Sequence, residues 1–154
     1  MTGSYSRCDL GKRCVKQTTN NKVFKKYTLI CAINYKGVVG YQLYEQGGTN
    51  TERMLDFINK FIKGKYKKNL LIMDNGGSHK NPMIKTHIEN TSNSLLYSVQ
   101  YRPKTNVIES FFSQFKYYFR LPTKAISYEE LTKKVNESIK QISKESYLNY
   151  FKYA

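Results

Sequence analysis

The apolar run Leu-Leu-Ile-Met at residues 70–73 stops at a carboxylate, Asp74. Such a run predicts a buried strand, which would deliver Asp74 to the carboxyl-terminal edge of a sheet, where open α/β sheets place their ligands. A second acid, Glu109, follows after 34 intervening residues. Its neighbours at residues 107–119 are apolar at helical spacing, so Glu109 is expected in the first turn of an amphipathic helix. The sequence therefore predicts an α/β fold with two acids at the ends of regular elements.

A strand-end acid and a helix-borne acid can converge on one divalent ion. Mg2+ and Mn2+ prefer hard oxygen ligands, and two or three carboxylates suffice to hold the ion pair that positions the attacking and leaving oxygens of a phosphodiester. Each acid also has a structural interpretation. An Asp after a strand often caps a turn or a helix, and a Glu in a first helical turn interacts favourably with the helix dipole. Taken singly, neither acid decides between these interpretations.

Longer motifs surround both acids. The segment MDNGGSHK at residues 73–80, and YRPKTNVIE at residues 101–109 followed by FSQFK at residues 112–116, resemble the catalytic core of transposases of the Tc1/mariner and bacterial IS630 superfamily. The resemblance spans about residues 5–120, and the two acids have the 34-residue separation typical of that family. Three departures are mild: Gln100 replaces a common proline, Arg102 stands where serine is usual, and Val107 replaces the proline before Ile108 and Glu109.

This resemblance implies a ribonuclease H-like fold, a mixed sheet with helices on both faces, that cuts and joins DNA strands. Such proteins use two aspartates and a glutamate with Mg2+ or Mn2+; Asp74 matches the second acid and Glu109 the third. The first aspartate lies on the opening strand, which we expect to be largely missing here. The only acid near the start, Asp9, aligns with the linker after that strand and is interpreted as a surface residue. We therefore expect weak metal binding and little or no cleavage by this chain alone.

The resemblance also suggests residues that support the acids. These are Asn75, His79 and Asn106. His79 could orient groups at the site, or it could cap a helix that starts at Pro82. The candidates for phosphate contacts, each of which could equally be solvated surface, are Lys80, Arg102, Lys104, Lys116 and Arg120. The lysine run at residues 63, 65, 67 and 68 is interpreted as a solvated loop.

The charge balance favours a polyanionic partner. Lys and Arg total 26 against 11 acids, which gives a net charge of +15 and a pI near 9.7. This field favours DNA, although anionic membranes would also attract it. An apolar run of about 18 residues and a signal-peptide pattern are both missing, so we expect an intracellular protein without a membrane partner. Three cysteines and two histidines without metal-binding spacing suggest neither a disulfide framework nor a zinc site.

The predicted organisation is a polar segment at residues 1–23, a remnant of the region after the first strand, and one domain at residues 24–154. Within the domain we expect a hairpin at 27–34 and 38–45, a helix of about 14 residues from about residue 49, and strands at 69–74 and 95–99. Further helices are expected at 82–89, 107–119 and 127–150. The long last helix would pack on the core, or it would meet DNA or a second subunit through its lysines, which are Lys133, Lys134, Lys140 and Lys144.

Three functions fit these patterns. The favoured one is a transposase catalytic domain with DNA as partner, a possible homodimer and no small-molecule cofactor. The alternative is a nucleic-acid-binding module derived from a transposase but without chemistry. A third, another enzyme of the same fold such as a ribonuclease H or a Holliday-junction resolvase, is disfavoured by Asn75 and by the motif at residues 106–109.

Overall fold

The computed structural model describes residues 27–77, 79–99, 106–120 and 126–153. The predicted polar segment at residues 1–23, with Asp9, lies outside this part of the chain. The strands of the described part are β1 (Tyr27–Asn34), β2 (Gly37–Glu45), β3 (Leu70–Met73) and β4 (Ser94–Tyr97). Its helices are α1 (Thr51–Phe61), α2 (Pro82–Asn90), α3 (Val107–Tyr118), α4 (Tyr128–Lys140) and α5 (Lys144–Lys152). None of these helices is long and apolar enough to cross a bilayer.

Strands β1 and β2 form the predicted antiparallel hairpin. Tyr27 pairs with Glu45, and the register shifts between Ala32 and Ile33, where the ladder is irregular. The turn is fixed by Asn34, whose side-chain oxygen accepts hydrogen bonds from the backbone nitrogens of Lys36 and Gly37 at 2.8 and 3.1 Å. An Asx turn of this kind closes a hairpin locally, which is why the sequence alone predicts it.

Strands β3 and β4 lie parallel and are joined by α2. Leu70 pairs with Ser94 and Met73 with Tyr97. The structure therefore has both kinds of strand pairing, as expected for a mixed sheet, although the described strands form two two-stranded sheets, β1-β2 and β3-β4. Sequence patterns predict strands but not which strands become neighbours, because neighbours are chosen by contacts distant in sequence.

Burial of β3 is less complete than predicted from its apolar run. Leu71 and Met73 pack on the core, whereas Leu70 and Ile72 are 56% and 43% exposed. Alternate residues of a strand point to opposite faces of the sheet, and one face of β3 packs with α2 residues. Within the described ranges, the other face of β3 is exposed to solvent, so the prediction of a fully buried strand is wrong there.

Helices cover both faces of the hairpin, as predicted. On one face, Ile30 joins a core of α1 and α2 residues that includes the fully buried Ile58, Ile84 and Ile88. On the opposite face, Leu29 and its neighbours pack against α3, α4 and α5 around Phe111. The alternation of side chains along β1 produces this two-layer arrangement, because odd and even residues serve different cores.

Gly40 allows α1 to approach the hairpin closely. A Cβ added at Gly40 would lie 2.8 Å from Cε1 of Phe61 and closer still to Cγ and Cδ1. The Phe61 ring has little room to move, because its centroid lies 4.8 Å from that of Phe57. We therefore expect Gly40→Ala to lower the free energy of unfolding by about 1–3 kcal/mol, as overpacking does.

Urea denaturation would check this expectation. Gly48→Ala is the matched control, because a Cβ at Gly48 meets no atom within 4 Å. If Gly40→Ala were as stable as Gly48→Ala, the close approach of Phe61 to the hairpin would not be real.

The tail differs from the single long helix expected at residues 127–150. Helix α4 starts with a capping box of Ser127 and Glu130, but it ends at Lys140, and α5 begins at Lys144. Ser143 caps α5 by accepting a hydrogen bond from the backbone nitrogen of Ser146 at 3.3 Å. The break lets Tyr147 reach Phe111, with ring centroids 6.2 Å apart. Tertiary packing therefore divides the helix, and its apolar face packs on the core.

Candidate active site

Asp74 occupies the position predicted for a catalytic carboxylate. It follows β3 directly, and its side chain is 54% exposed. Because β3 and β4 are parallel, Asp74 lies at the carboxyl-terminal edge of this sheet, the edge at which α/β proteins bind ligands. Its carboxylate is accessible to a cation and is not buried in the core.

His79 lies against the carboxylate of Asp74. Nδ1 of His79 contacts Oδ1 of Asp74, and it also lies 3.4 Å from the Asp74 backbone oxygen. The alternative role, capping α2, belongs to Asn81, whose side-chain oxygen accepts from the backbone nitrogen of Met83 at 3.0 Å. The geometry therefore places His79 against Asp74 and not at the N-cap of α2.

Tyr97 fixes the loop that carries His79, and sequence reasoning missed it. The Tyr97 hydroxyl donates to the backbone oxygen of His79 at 2.7 Å, while the His79 nitrogen donates to the oxygen of Gly76 at 3.0 Å. Tyr97 ends β4 and pairs with Met73, the residue before Asp74. Asn75, a predicted supporting residue, directly follows Asp74 in the chain and is half-buried.

Glu109 projects from the first turn of α3, as predicted, and is exposed. Asn106 is the N-cap of this helix: it is 7% exposed, and its side-chain oxygen accepts from the backbone nitrogen of Ile108 at 3.3 Å. The backbone nitrogen of Glu109 donates to the Asn106 oxygen at 3.1 Å. Asn106 therefore supports Glu109 by fixing the turn from which it projects.

The contacts described above link Asp74, His79 and Tyr97. Glu109 lies on α3 and takes part in none of them. Within the described part of the chain, no group of three His, Cys, Asp or Glu side chains is arranged to hold a metal. The meeting of Asp74 with Glu109 therefore stays a prediction.

The donor chemistry of the two acids suits Mg2+ or Mn2+, which prefer carboxylate oxygens. A soft-metal site is not indicated by Cys31, the cysteine within the described ranges. It lies on β1 and packs against the α3–α5 layer, and burial raises the pKa of its thiol to about 12. A thiol that stays protonated is a poor metal ligand.

The phosphate-contact candidates differ in their distance from the acids. Lys80 is exposed and directly follows His79, the residue in contact with Asp74, along the chain. Lys116 and Arg120 are also exposed, but Lys116 lies seven residues after Glu109 along α3, or about 10 Å at the helical rise. Arg102 and Lys104 lie outside the described residues.

Comparisons with known proteins agree with the fold. A model of the DDE superfamily endonucleases matches residues 2–132. The Mos1 transposase catalytic domain with raltegravir and Mn matches with a TM-score of 0.71 and 17% identity, over 83% of this chain and 73% of that one. The Mos1 strand transfer complex matches with a TM-score of 0.73 and 21% identity, over 97% of this chain and 46% of that one. A search of curated proteins returned no match. The predicted ribonuclease H-like α/β fold is confirmed.

Proposed function

The chain belongs to the DDE superfamily of endonucleases, and we propose that it is the catalytic domain of a mariner-type transposase that acts on DNA with Mg2+ or Mn2+. The observation that carries this proposal is the exposed carboxylate of Asp74, which ends a parallel strand and is held by His79. Structures of Mos1 transposase with Mn, with Mg and in a paired-end complex support the choice of cofactor and partner.

In this proposal Asp74 and Glu109 hold the metal through their carboxylate oxygens. The bound ions would activate water or a DNA 3′-hydroxyl and stabilise the departing oxygen at phosphorus. His79 restricts the Asp74 side chain through the contact at Nδ1, which lowers the entropy lost when the carboxylate binds a cation. Lys80, beside His79, is placed to contact a DNA phosphate.

Two carboxylates are fewer than the three that the resemblance implies. Each missing ligand removes charge and fixed geometry from an ion site, so we propose weak metal binding and slow or undetectable strand cleavage by the polypeptide of residues 1–154. A non-catalytic nucleic-acid-binding module derived from a transposase is the alternative.

DNA binding with and without metal separates the two candidates. We expect Mn2+ to tighten binding of a DNA duplex severalfold relative to EDTA, and Asp74→Asn to remove that gain while leaving the metal-independent affinity intact. Fluorescence anisotropy measures both affinities, and a plasmid nicking assay with Mn2+ runs beside it.

Equal affinities in Mn2+ and EDTA would contradict the catalytic proposal and favour the binding module. Efficient nicking that disappears in Asp74→Asn would support the proposed chemistry and overturn only the expected inactivity.

A further inference from the structure

The connection between α1 and β3 concentrates positive charge. We call residues 60–69, which comprise the end of α1 and its connection to β3, the lysine loop. In the sequence, no acid occurs between Asp56 and Asp74, whereas this interval contains five lysines. They are Lys60, Lys63, Lys65, Lys67 and Lys68, and all five are exposed.

The backbone of the lysine loop is anchored by a buried side chain. Asn93 is 4% exposed; its Oδ1 accepts from the backbone nitrogen of Asn69 at 3.0 Å, and its Nδ2 donates to the oxygen of Tyr66 at 2.9 Å. The nitrogen of Lys68 donates to the oxygen of Ser92 at 2.7 Å. Lys68 has a φ of 58°, a conformation that non-glycine residues rarely adopt. The loop therefore displays its lysines from a fixed backbone.

Local structure explains two of the five lysines. Nζ of Lys60 donates to Oε1 of Gln42 at 2.8 Å, and Nζ of Lys65 donates to the backbone oxygen of Lys60 at 3.1 Å, at the end of α1 where cations favour the helix dipole. Among the described residues, the Nζ atoms of the other three, Lys63, Lys67 and Lys68, have neither a hydrogen-bond partner nor a carboxylate within ion-pair distance.

The lysine loop lies away from the candidate active site. It precedes β3, and Asp74 follows β3. The four residues of β3 span about 13 Å at the rise of a parallel strand. The loop and Asp74 therefore lie at opposite ends of β3. The nearby end of α2 carries the exposed Glu89, which forms no ion pair with these lysines. This surface is therefore positive and separate from Asp74.

We propose that the lysine loop binds the sugar–phosphate backbone of duplex DNA at a second position, at the end of β3 opposite Asp74. This inference rests on the proposed function, because it takes DNA as the polyanion. Lysine ammonium groups are point charges that contact phosphates without reading bases, so the contact is independent of sequence and sensitive to salt.

The test uses the triple variant Lys63→Gln, Lys67→Gln and Lys68→Gln. Its matched control is Lys36→Gln, Lys85→Gln and Lys152→Gln, which removes the same charge from exposed positions elsewhere. Binding of a short fluorescent duplex of random sequence is measured from roughly 50 to 200 mM salt. We expect the slope of log affinity against log salt to be shallower by about 2–3 for the loop variant, and its affinity to be roughly tenfold lower. The control should change much less, and circular dichroism should show both variants folded.

Equal slopes and affinities for the loop variant and the control would overturn the inference. It would also be overturned if the loop variant lost binding to phosphatidylserine vesicles but kept full DNA binding. If the unmodified chain bound no DNA, the proposed function would fail as well. If the unmodified chain showed metal-dependent DNA binding and the loop variant bound DNA equally well, only the proposal for the lysine loop would be overturned.

Discussion

Phe111→Ala is expected to lower the free energy of unfolding by about 3–5 kcal/mol, the range typical of a fully buried phenylalanine. Phe111 has no exposed surface and lies two residues after Glu109 on α3. Its ring centroid is 5.3 Å from that of Phe112, 6.0 Å from that of Phe115 and 6.2 Å from that of Tyr147. Removing the ring leaves a cavity between α3, α5 and the hairpin, which these aromatic contacts hold together.

Urea denaturation followed by circular dichroism measures this loss. Tyr117→Ala is the matched control, because Tyr117 lies on the same helix and is 72% exposed. We expect the control to stay within about 0.5 kcal/mol of the unmodified protein, as surface substitutions usually do. A loss below about 1 kcal/mol for Phe111→Ala would contradict the packing of α3 described above.

Asp74→Asn and Glu109→Gln are each expected to weaken Mn2+ binding by at least about tenfold, since even residues behind a metal's direct ligands contribute that much. If both carboxylates hold the same ion, the double variant should bind little worse than either single variant. This non-additivity is what a double-mutant cycle detects for two groups that act on one partner. Titration followed by the electron paramagnetic resonance signal of free Mn2+ gives the dissociation constants.

Glu129→Gln is the matched control for this cycle, because Glu129 is an exposed acid in the first turn of α4, as Glu109 is in α3. The control should bind Mn2+ like the unmodified protein. Strictly additive losses at residues 74 and 109, or an equal loss in the control, would show that the two acids do not share an ion.

Local patterns explain why most elements could be predicted from sequence. The capping box of Ser127 and Glu130 and the cap at Asn106 depend on residues close in sequence, and both occur in the structure. Asp74 at a strand end and Glu109 in a first helical turn likewise follow from apolar periodicity, so their local settings could be predicted. Helix α1 is shorter than expected: it ends at Phe61, with Ile62 as its C-cap.

Long-range contacts account for what the sequence did not reveal. The break before Ser143 depends on Tyr147 reaching Phe111, and the apolar stripe of the tail continues through it to Ile142. Tyr97 acts on the backbone of a residue 18 positions earlier, which no local pattern signals. The lysine run is exposed, as predicted. Its anchoring could not be predicted, because Asn93 follows α2 and pairs with Asn69 only in the folded chain.

Anomalous diffraction from crystals grown with Mn2+ tests the central claim most directly. We expect one anomalous peak that is bound by a carboxylate oxygen of Asp74 and a carboxylate oxygen of Glu109, with His79 still against Asp74. Carboxylates more than about 10 Å apart, which is too far even for a bridged pair of ions, or Mn2+ bound without either acid, would contradict the account.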